Sequence, residues 1–235
     1  MSKAEKIEES SFRELEKAKL LREVEVKASM KQIAIIVDVE TGEGVLRCLY
    51  RPEKGVLLSL DPRIPKPQEL YRDALYYRVS KLLGWNFVLP VAEWSLDGND
   101  EGVLRPFLQQ VETRQIYDFR VDKLRERSWF WLKVAALDYV CGVVDRRTND
   151  FLFTPSSIFV VDSGLSFVEG EDFSYQSSII REKLSGEILP EDIREALLRL
   201  SENQIQRLAV GVLDGKEVES VARRALKLAD VGVIL

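Results

Sequence analysis

The longest apolar stretch of the chain runs from Trp129 to Val144 and leads directly into a charged loop, Asp145 to Asp150. After this loop come two short apolar runs, 151–153 and 158–161, which are separated by a Thr-Pro-Ser-Ser turn. The long stretch is typical of a buried helix, whereas short runs rich in aromatic and β-branched residues are typical of strands. The pattern therefore predicts a buried helix, a polar loop and a hairpin that ends in Asp162.

The amino-terminal half of the chain has a mixed pattern. A charged segment from about Lys3 to Leu21 carries a thin apolar stripe and predicts a surface helix. Alternating and β-branched residues from Val24 to Tyr50 predict three antiparallel strands. Further along we expect one helix and two more strands, over Glu69–Leu83, Val91–Trp94 and Gly102–Leu108.

Three amphipathic helices are predicted to close the chain after a polar loop at 168–173. They begin near Pro190, after Ser201 and at Gly215, and the segment Ser201-Glu-Asn-Gln204 has the form of a capping box. These patterns together predict an α+β protein. An antiparallel, β-rich amino-terminal lobe with one helix would cover residues 1–110, and a mainly helical carboxy-terminal lobe would cover 111–235.

Carboxylates lie at both ends of the predicted hairpin. Because the second strand of an antiparallel hairpin returns to where the first began, Asp150 and Asp162 should lie side by side. Carboxylates that converge in this way repel one another unless a cation or a proton lies between them. Mg²⁺ takes oxygen ligands of this kind, usually together with substrate phosphates. The alternative is a solvated loop with local Asp–Arg ion pairs.

Composition and charge narrow the classes of function. The formal net charge of −5 argues against general nucleic-acid binding, and the absence of histidine excludes histidine metal sites and histidine acid–base chemistry. Cys48 and Cys141 lie in apolar surroundings, so we expect reduced core thiols. No apolar stretch is long enough to span a bilayer, and the first residues lack the pattern of a signal peptide. We therefore expect a cytoplasmic location.

The central residues resemble those of the phosphoinositide 3-/4-kinase-like group of the kinase superfamily. That group has Gly-x-x-Asp-Arg-x-x-x-Asn followed by a strand that ends in Asp-x-Gly. Here the matching segments are Gly142-Val-Val-Asp145-Arg146-Arg-Thr-Asn149-Asp150 and Val161-Asp162-Ser163-Gly164. The chain is also similar to bacterial proteins within that group that are related to HipA and the secretory-pathway kinases. The resemblance implies a two-lobed, protein-kinase-like fold.

The resemblance also implies a nucleotide site in the amino-terminal lobe. Arg51, in Leu49-Tyr50-Arg51-Pro52, matches a lysine that pairs with nucleotide phosphates and with an acid on the next helix. The acid here would be Asp73, and Lys54 lies nearby in sequence. Ser29 matches a serine of the turn that covers the ATP phosphates, and the segment from Phe107 to Val111 would be the adenine hinge.

In the carboxy-terminal half, the resemblance assigns Asp145 as the catalytic base, oriented by Arg146. Asp162 would bind Mg²⁺ or Mn²⁺, and either Asp150 or Asn149 would be the second metal ligand. The implied activity is transfer of the ATP γ-phosphate to an alcohol group by an atypical kinase.

Two other functions stay open because Arg51 replaces the lysine and Gly142-Val143 replaces an Asn-Asn pair. One is a nucleotide-binding pseudokinase that acts as a regulatory or scaffolding protein; the other, less favoured, is an interaction protein that binds no nucleotide. The acceptor is not specified by the sequence. A protein or small-molecule hydroxyl is favoured over a lipid, because no polybasic run or basic amphipathic surface is present.

Overall fold

The computed structural model describes residues 15–59, 61–108, 124, 127–155, 157–170 and 177–235. These residues fall into two compact units. The first unit holds the described residues up to Tyr77, those from Asn86 to 108, and Leu152–Gly164. The second holds Arg78–Trp85, the described residues from 124 to Phe151, and Leu165–Leu235.

A five-stranded antiparallel sheet with strand order β1-β2-β3-β5-β4 dominates the first unit. Its strands are β1 (Lys19–Ala28), β2 (Ile33–Thr41), β3 (Gly44–Pro52), β4 (Ala92–Leu96) and β5 (Asp100–Pro106). The three antiparallel strands predicted between Val24 and Tyr50 are confirmed, and so are the two strands predicted after the helix.

The two faces of this sheet follow the alternation of side chains along its strands. Val37 and Val39 of β2 are fully buried in a core cluster with Cys48 and Tyr50 of β3. Asp38, between the two valines, points to the other face, where its carboxylate accepts hydrogen bonds from Arg22 and Arg47 at 2.8 Å each. These hydrogen bonds, of which the one from Arg47 has the larger effect, lower the pKa of Asp38 from its usual 3.8 to about 2.

The predicted amino-terminal helix is wrong at its carboxyl end. Lys19 to Leu21, which we placed in that helix, belong to β1, and Leu20 lies opposite Val39 in the register of β1 with β2. The local sequence pattern gives no information about the partner strand β2. The backbone hydrogen bonds between β1 and β2 outweigh the local helical preference. The earlier part of the predicted helix, through residue 14, lies outside the described residues.

The first unit also contains most of helix α1 (Gln68–Leu82), which confirms the predicted helix to within one residue at each end. Leu70 and Ala74 on its buried side pack with Val56, Val91 and Val103. Because α1 packs on this cluster, its first two turns lie against the end of β3. This packing determines where the charged residues of those turns are held.

The predicted hairpin is present as β7 (Phe151–Phe153) and β8 (Ile158–Val160). Val160 of β8 donates its N–H to the Phe87 carbonyl, and Leu89 donates to the Val160 carbonyl. These bonds fix β8 in the first unit. The chain leaves β8 at Val161 and enters Asp162, Ser163 and Gly164.

The second unit is mainly helical. It comprises α2 (Ser128–Val140), α3 (Ile179–Leu184), α4 (Glu191–Leu198), α5 (Glu202–Leu208), α6 (Gly215–Val231) and the parallel pair β6 (Asp145–Arg146) and β9 (Ser177–Ser178). The buried helix and the three closing helices are confirmed. The Ser201 hydroxyl accepts the Gln204 N–H at the start of α5, as the capping box predicts. Helix α3 and the β6–β9 pairing were not predicted.

Cys48 and Cys141 are buried free thiols, as expected. Burial raises the pKa of Cys48 to about 12, which makes it an inert core residue at neutral pH. Among the described residues, no helix is both long and apolar enough to cross a lipid bilayer.

Candidate functional site

An ion pair at the end of β3 is the starting point of the site in the first unit. The Arg51 Nη1 lies 3.3 Å from Oδ2 of Asp73 on α1, and both side chains are almost completely buried. Pairing leaves neither charge uncompensated in a region of low solvent access. The structure thus contains the pair of Arg51 with an acid of the next helix that the sequence predicts.

Asp73 has a second partner through its other oxygen. Its Oδ1 accepts the backbone N–H of Ser163 at 2.9 Å. Ser163 follows the hairpin, so one carboxylate joins the end of β3, helix α1 and the segment after β8. Bonds from charged groups to backbone amides are stronger than neutral ones, so Asp73 holds this segment firmly.

Gly164 brings the same segment close to α1. A Cβ atom at this position would lie 2.4 Å from the Glu69 carbonyl oxygen, which is far inside van der Waals contact. Only a residue without a side chain permits this approach. The glycine of the Asp-Ser-Gly sequence is therefore required by the packing of the segment on the helix.

Asp162 differs from its neighbours because its side chain is exposed. Its backbone has φ of 59°, a left-handed conformation that Asp tolerates better than most residues. The side chain is 67% exposed, and Oδ1 lies 3.6 Å from the Arg51 Nη1. Its carboxylate is consequently presented to solvent at the edge of the Arg51–Asp73 pair.

Glu69 is a charged residue near this group that sequence reasoning missed. Burial raises the pKa of its carboxyl group, the Arg51 charge opposes that shift, and the Asp162 carboxylate adds to it. Glu69 lies four residues before Asp73 on α1, and this spacing places both on one face of a helix. That spacing was the signal that could have found it once Asp73 was assigned.

Ser29 makes contacts within its own turn, whereas Lys54 contacts the first residue of β5. The Ser29 Oγ accepts the N–H groups of Lys31 and Gln32, at 3.2 and 3.1 Å, in the turn between β1 and β2. The Lys54 Nζ is 3.6 Å from Asp100 Oδ1, and its side chain is 77% exposed. Their assignment to a nucleotide stays a prediction.

In the second unit, Arg146 lies at the centre of a buried polar cluster. Its Nη2 donates to Asp138 Oδ1 at 2.9 Å, and both side chains have no solvent exposure. The Ser178 hydroxyl donates to Asp138 Oδ2 at 2.8 Å, and the Arg146 Nη1 is 3.9 Å from Asp150. These contacts secure the loop that carries Asp145 against helix α2 and strand β9.

Asp145 forms its described ion pair with Arg147, whose Nε lies 2.6 Å from Oδ1. The guanidinium of Arg146 contacts Asp138 and Asp150, and its role in orienting Asp145 stays a prediction. The Asp145 side chain is 25% exposed, so solvent reaches part of the carboxylate. Its role as a catalytic base stays a prediction.

The two candidates for the second metal ligand have different surroundings. Asp150 is buried, and its Oδ2 accepts the Arg147 backbone N–H at 2.7 Å, which closes the short 3-10 turn Thr148–Asp150. Asn149 is exposed. The choice between them stays open, as does the expectation that Asp150 and Asp162 lie side by side, since these belong to different units.

The chemistry of the residues suits a hard divalent cation. Over the part of the chain that the structure describes, no group of three or more acidic or thiol side chains is arranged to hold a metal. Mg²⁺ in phosphate-transfer sites is commonly bound by one or two carboxylates together with substrate phosphates and water. The exposed Asp162 carboxylate, with its hard oxygens, fits that requirement.

Two predicted features lie wholly or partly outside the described residues. Phe107 and Leu108 are described, and Phe107 donates its N–H to the Arg47 carbonyl, but the rest of the predicted hinge is not described. The predicted polar loop at 168–173 is described as far as Gly170, and residues 171–176 lie outside the described part.

Solved structures that share this architecture over most of the chain define the fold as kinase-like and α+β. No family model matches the sequence, and no curated protein matches it.

One of these structures is CtkA, a proinflammatory kinase of Helicobacter pylori. It is 11% identical, with a TM-score of 0.51, and the match covers 92% of this chain and 93% of that one. Another is Fam20 of hydra, solved with sugar, which is 10% identical with a TM-score of 0.56, over 93% of this chain and 86% of that one. At such low identity the likeness shows the fold. It does not single out the phosphoinositide 3-/4-kinase-like or HipA families.

Proposed function

We propose that this protein is an ATP-dependent kinase that transfers the γ-phosphate to a hydroxyl group with Mg²⁺ or Mn²⁺. The observation that carries the proposal is the connection of Arg51, Asp73 and Asp162 within a kinase-like fold. Phosphoryl transfer needs a positively charged side chain near the phosphates, an acid that holds this side chain in place, and a carboxylate that binds the metal ion. These three residues have the chemistry for those three tasks.

In this proposal Arg51 contacts nucleotide phosphates and Asp73 holds Arg51. Asp162 would bind the metal, which neutralises charge on the transferred phosphate when it is bound. Asp145 would accept the proton of the acceptor hydroxyl, and Asp150 or Asn149 would assist at a second metal. The proposed origin within the phosphoinositide 3-/4-kinase-like group, with relatives among the HipA and secretory-pathway kinases, rests on the sequence motifs around Asp145 and Asp162.

A protein or small-molecule hydroxyl is the proposed acceptor. The chain is acidic overall, with 39 Asp and Glu residues against 34 Lys and Arg residues. An anionic lipid surface attracts clustered basic residues, which this sequence does not have. The acceptor would therefore be recognised through contacts other than a general basic surface.

The first test is thermal unfolding of the purified protein with ATP, with Mn²⁺, and with both. A ligand at about 100 times its dissociation constant adds about 2.7 kcal/mol of stability. We expect ATP and Mn²⁺ together to raise the unfolding temperature by more than the sum of their separate effects. Asp162→Ala should abolish that excess, while Asp230→Ala, which removes an exposed acid on α6, should retain it.

Other outcomes of this measurement separate the alternatives. Stabilisation by ATP that does not depend on the metal would favour the pseudokinase. If neither ATP nor metal changes the unfolding temperature, both nucleotide-binding functions are wrong.

A second test addresses the assigned base. Asp145→Asn keeps the size of the side chain but removes its ability to accept a proton. We expect the rate of phosphate transfer to an acceptor to fall by about 100-fold or more. If no acceptor is found, the rate of ATP hydrolysis is measured instead. Nucleotide and metal should still raise the unfolding temperature of this variant. Unchanged turnover would mean that Asp145 is not the base.

A further inference from the structure

One nitrogen of Arg51 lies between two carboxylates. Its Nη1 is 3.3 Å from Asp73 Oδ2 and 3.6 Å from Asp162 Oδ1. The two acids differ in exposure, since the side chain of Asp73 is 2% exposed and that of Asp162 is 67% exposed. The buried carboxylate is fixed in place, whereas the exposed one has room to turn toward another cation.

The geometry around Asp162 makes Arg51 and a divalent metal competitors. Both are positive, and both would be attracted to the same exposed carboxylate. A metal that binds Asp162 next to an unpaired guanidinium would be repelled by it. The buried Asp73 charge offsets that repulsion because its carboxylate is paired with the same guanidinium nitrogen.

Asp73 is suited to this task by its second bond. Its Oδ1 is held by the Ser163 N–H, so its Oδ2 has a fixed position from which to hold Arg51. The same bond fixes the peptide next to Asp162. A single carboxylate thus controls both the position of the competitor and the backbone of the proposed metal ligand.

We propose that Asp73 is a positioning residue that competes with Asp162 for the Arg51 guanidinium and so keeps the Asp162 carboxylate available to a divalent cation. This inference rests on the proposed function, because it takes Asp162 as the metal ligand. It goes further by assigning to Asp73 a role in metal affinity, in addition to its pairing with Arg51.

The test measures Mn²⁺ binding without nucleotide, by the loss of the free-ion electron paramagnetic resonance signal. Asp73→Asn retains an oxygen for the Ser163 N–H and removes the charge that holds Arg51. We expect its Mn²⁺ affinity to fall by about tenfold, within the usual range of coupling between neighbouring sites. The double variant Arg51→Met with Asp73→Asn removes the competitor as well, and its affinity should return to at least the wild-type value. Asp162→Ala should lose the site.

A purely structural role for Asp73 would give a different pattern. The double variant would then bind Mn²⁺ no better than Asp73→Asn, and that result would overturn the inference. Equal Mn²⁺ affinity in Asp73→Asn and the wild type would also overturn it, yet would leave the proposed kinase function intact. A wild-type protein that binds no Mn²⁺ would instead contradict the metal-dependent kinase proposal, and the inference with it.

Folding of the variants is checked first by thermal unfolding in the absence of metal. If Asp73→Asn does not fold, the double variant alone carries the test, because it leaves neither buried charge without its partner. The inference then requires the double variant to bind Mn²⁺ at least as tightly as the wild type. Weaker binding would refute it.

Discussion

Arg51 illustrates at the scale of a single residue why arginine and lysine are not interchangeable. Its guanidinium stays charged and holds its N–H donors in one plane, so the nitrogen that contacts both Asp73 and Asp162 also fixes the orientation of the whole group. Within the described part of the chain its Nε is buried and has no hydrogen-bond partner. A buried donor without a partner costs free energy, and the ion pairs of Arg51 offset that cost.

Gly164 provides a residue-scale prediction. Gly164→Ala should destabilise the protein by about 1–3 kcal/mol, because the new methyl group would collide with the backbone carbonyl of Glu69. Urea unfolding followed by circular dichroism measures this change. As the matched control, Gly215→Ala introduces a methyl group where no atom lies within 4 Å at the start of α6. The control should be neutral or more stable by about 0.4–1 kcal/mol. Equal effects of the two substitutions would show that the close approach at Gly164 is not real.

At the scale of elements, charged residues form contacts between neighbouring strands. Asp38 on β2 bonds to Arg22 on β1 and Arg47 on β3, so one carboxylate spans three neighbouring strands. Asp138 performs a similar task in the second unit, where it binds Arg146 of β6 and Ser178 of β9. In both places a polar contact accompanies the backbone pairing, and a one-residue shift in register would break it.

The Asp38 contacts predict a dependence of stability on pH. The hydrogen bonds from Arg47 and Arg22 lower the folded-state pKa of Asp38 from 3.8 to about 2. A carboxyl group with a lowered folded pKa contributes stability above its unfolded pKa and loses that contribution as the pH falls through the folded value. We therefore expect the Asp38 contribution to disappear between about pH 4 and pH 2.

The measurement compares urea midpoints of the wild type and Asp38→Asn at pH 5, 3 and 2. The difference between the two proteins should be largest at pH 5 and should shrink toward pH 2. A difference that is constant over this range would contradict the assigned ion pairs. Arg47→Gln should remove more of the effect than Arg22→Gln, because the Arg47 bond is the larger cause of the shift.

At the scale of the whole molecule, a kinase-like fold is retained at 10% and 11% identity to solved structures. A fold can persist at such distances because hydrophobic and polar positions determine it more than particular residues do. Function depends on particular residues in a site and does not follow from the fold. For this reason the tests of the kinase proposal are substitutions of particular residues, Asp162 and Asp145.

Much of the architecture could be predicted because it follows from the local periodicity of apolar and polar residues. The five strands, helix α1, the buried helix and the three closing helices all follow from alternation, from apolar spacing or from capping residues such as Ser201. The pairing of Arg51 with Asp73 could also be anticipated, from the motif that surrounds Arg51. The local sequence could not reveal that Lys19 to Leu21 form a strand, because their hydrogen-bonding partner is a separate strand, β2, further along the chain.

The sequence by itself determined the succession of elements and the acidic and basic residues available for phosphate chemistry, because periodicity and residue type are local properties. The tertiary structure decided which of those residues meet. It brought Ser163 to Asp73, placed Gly164 against Glu69 and directed Arg146 to Asp138. The first two of these contacts join residues 90 or more positions apart, and the third joins a helix to the strand that follows it. They arise from the packing of whole elements, and packing depends on the combined shape and burial of residues that no local pattern brings together.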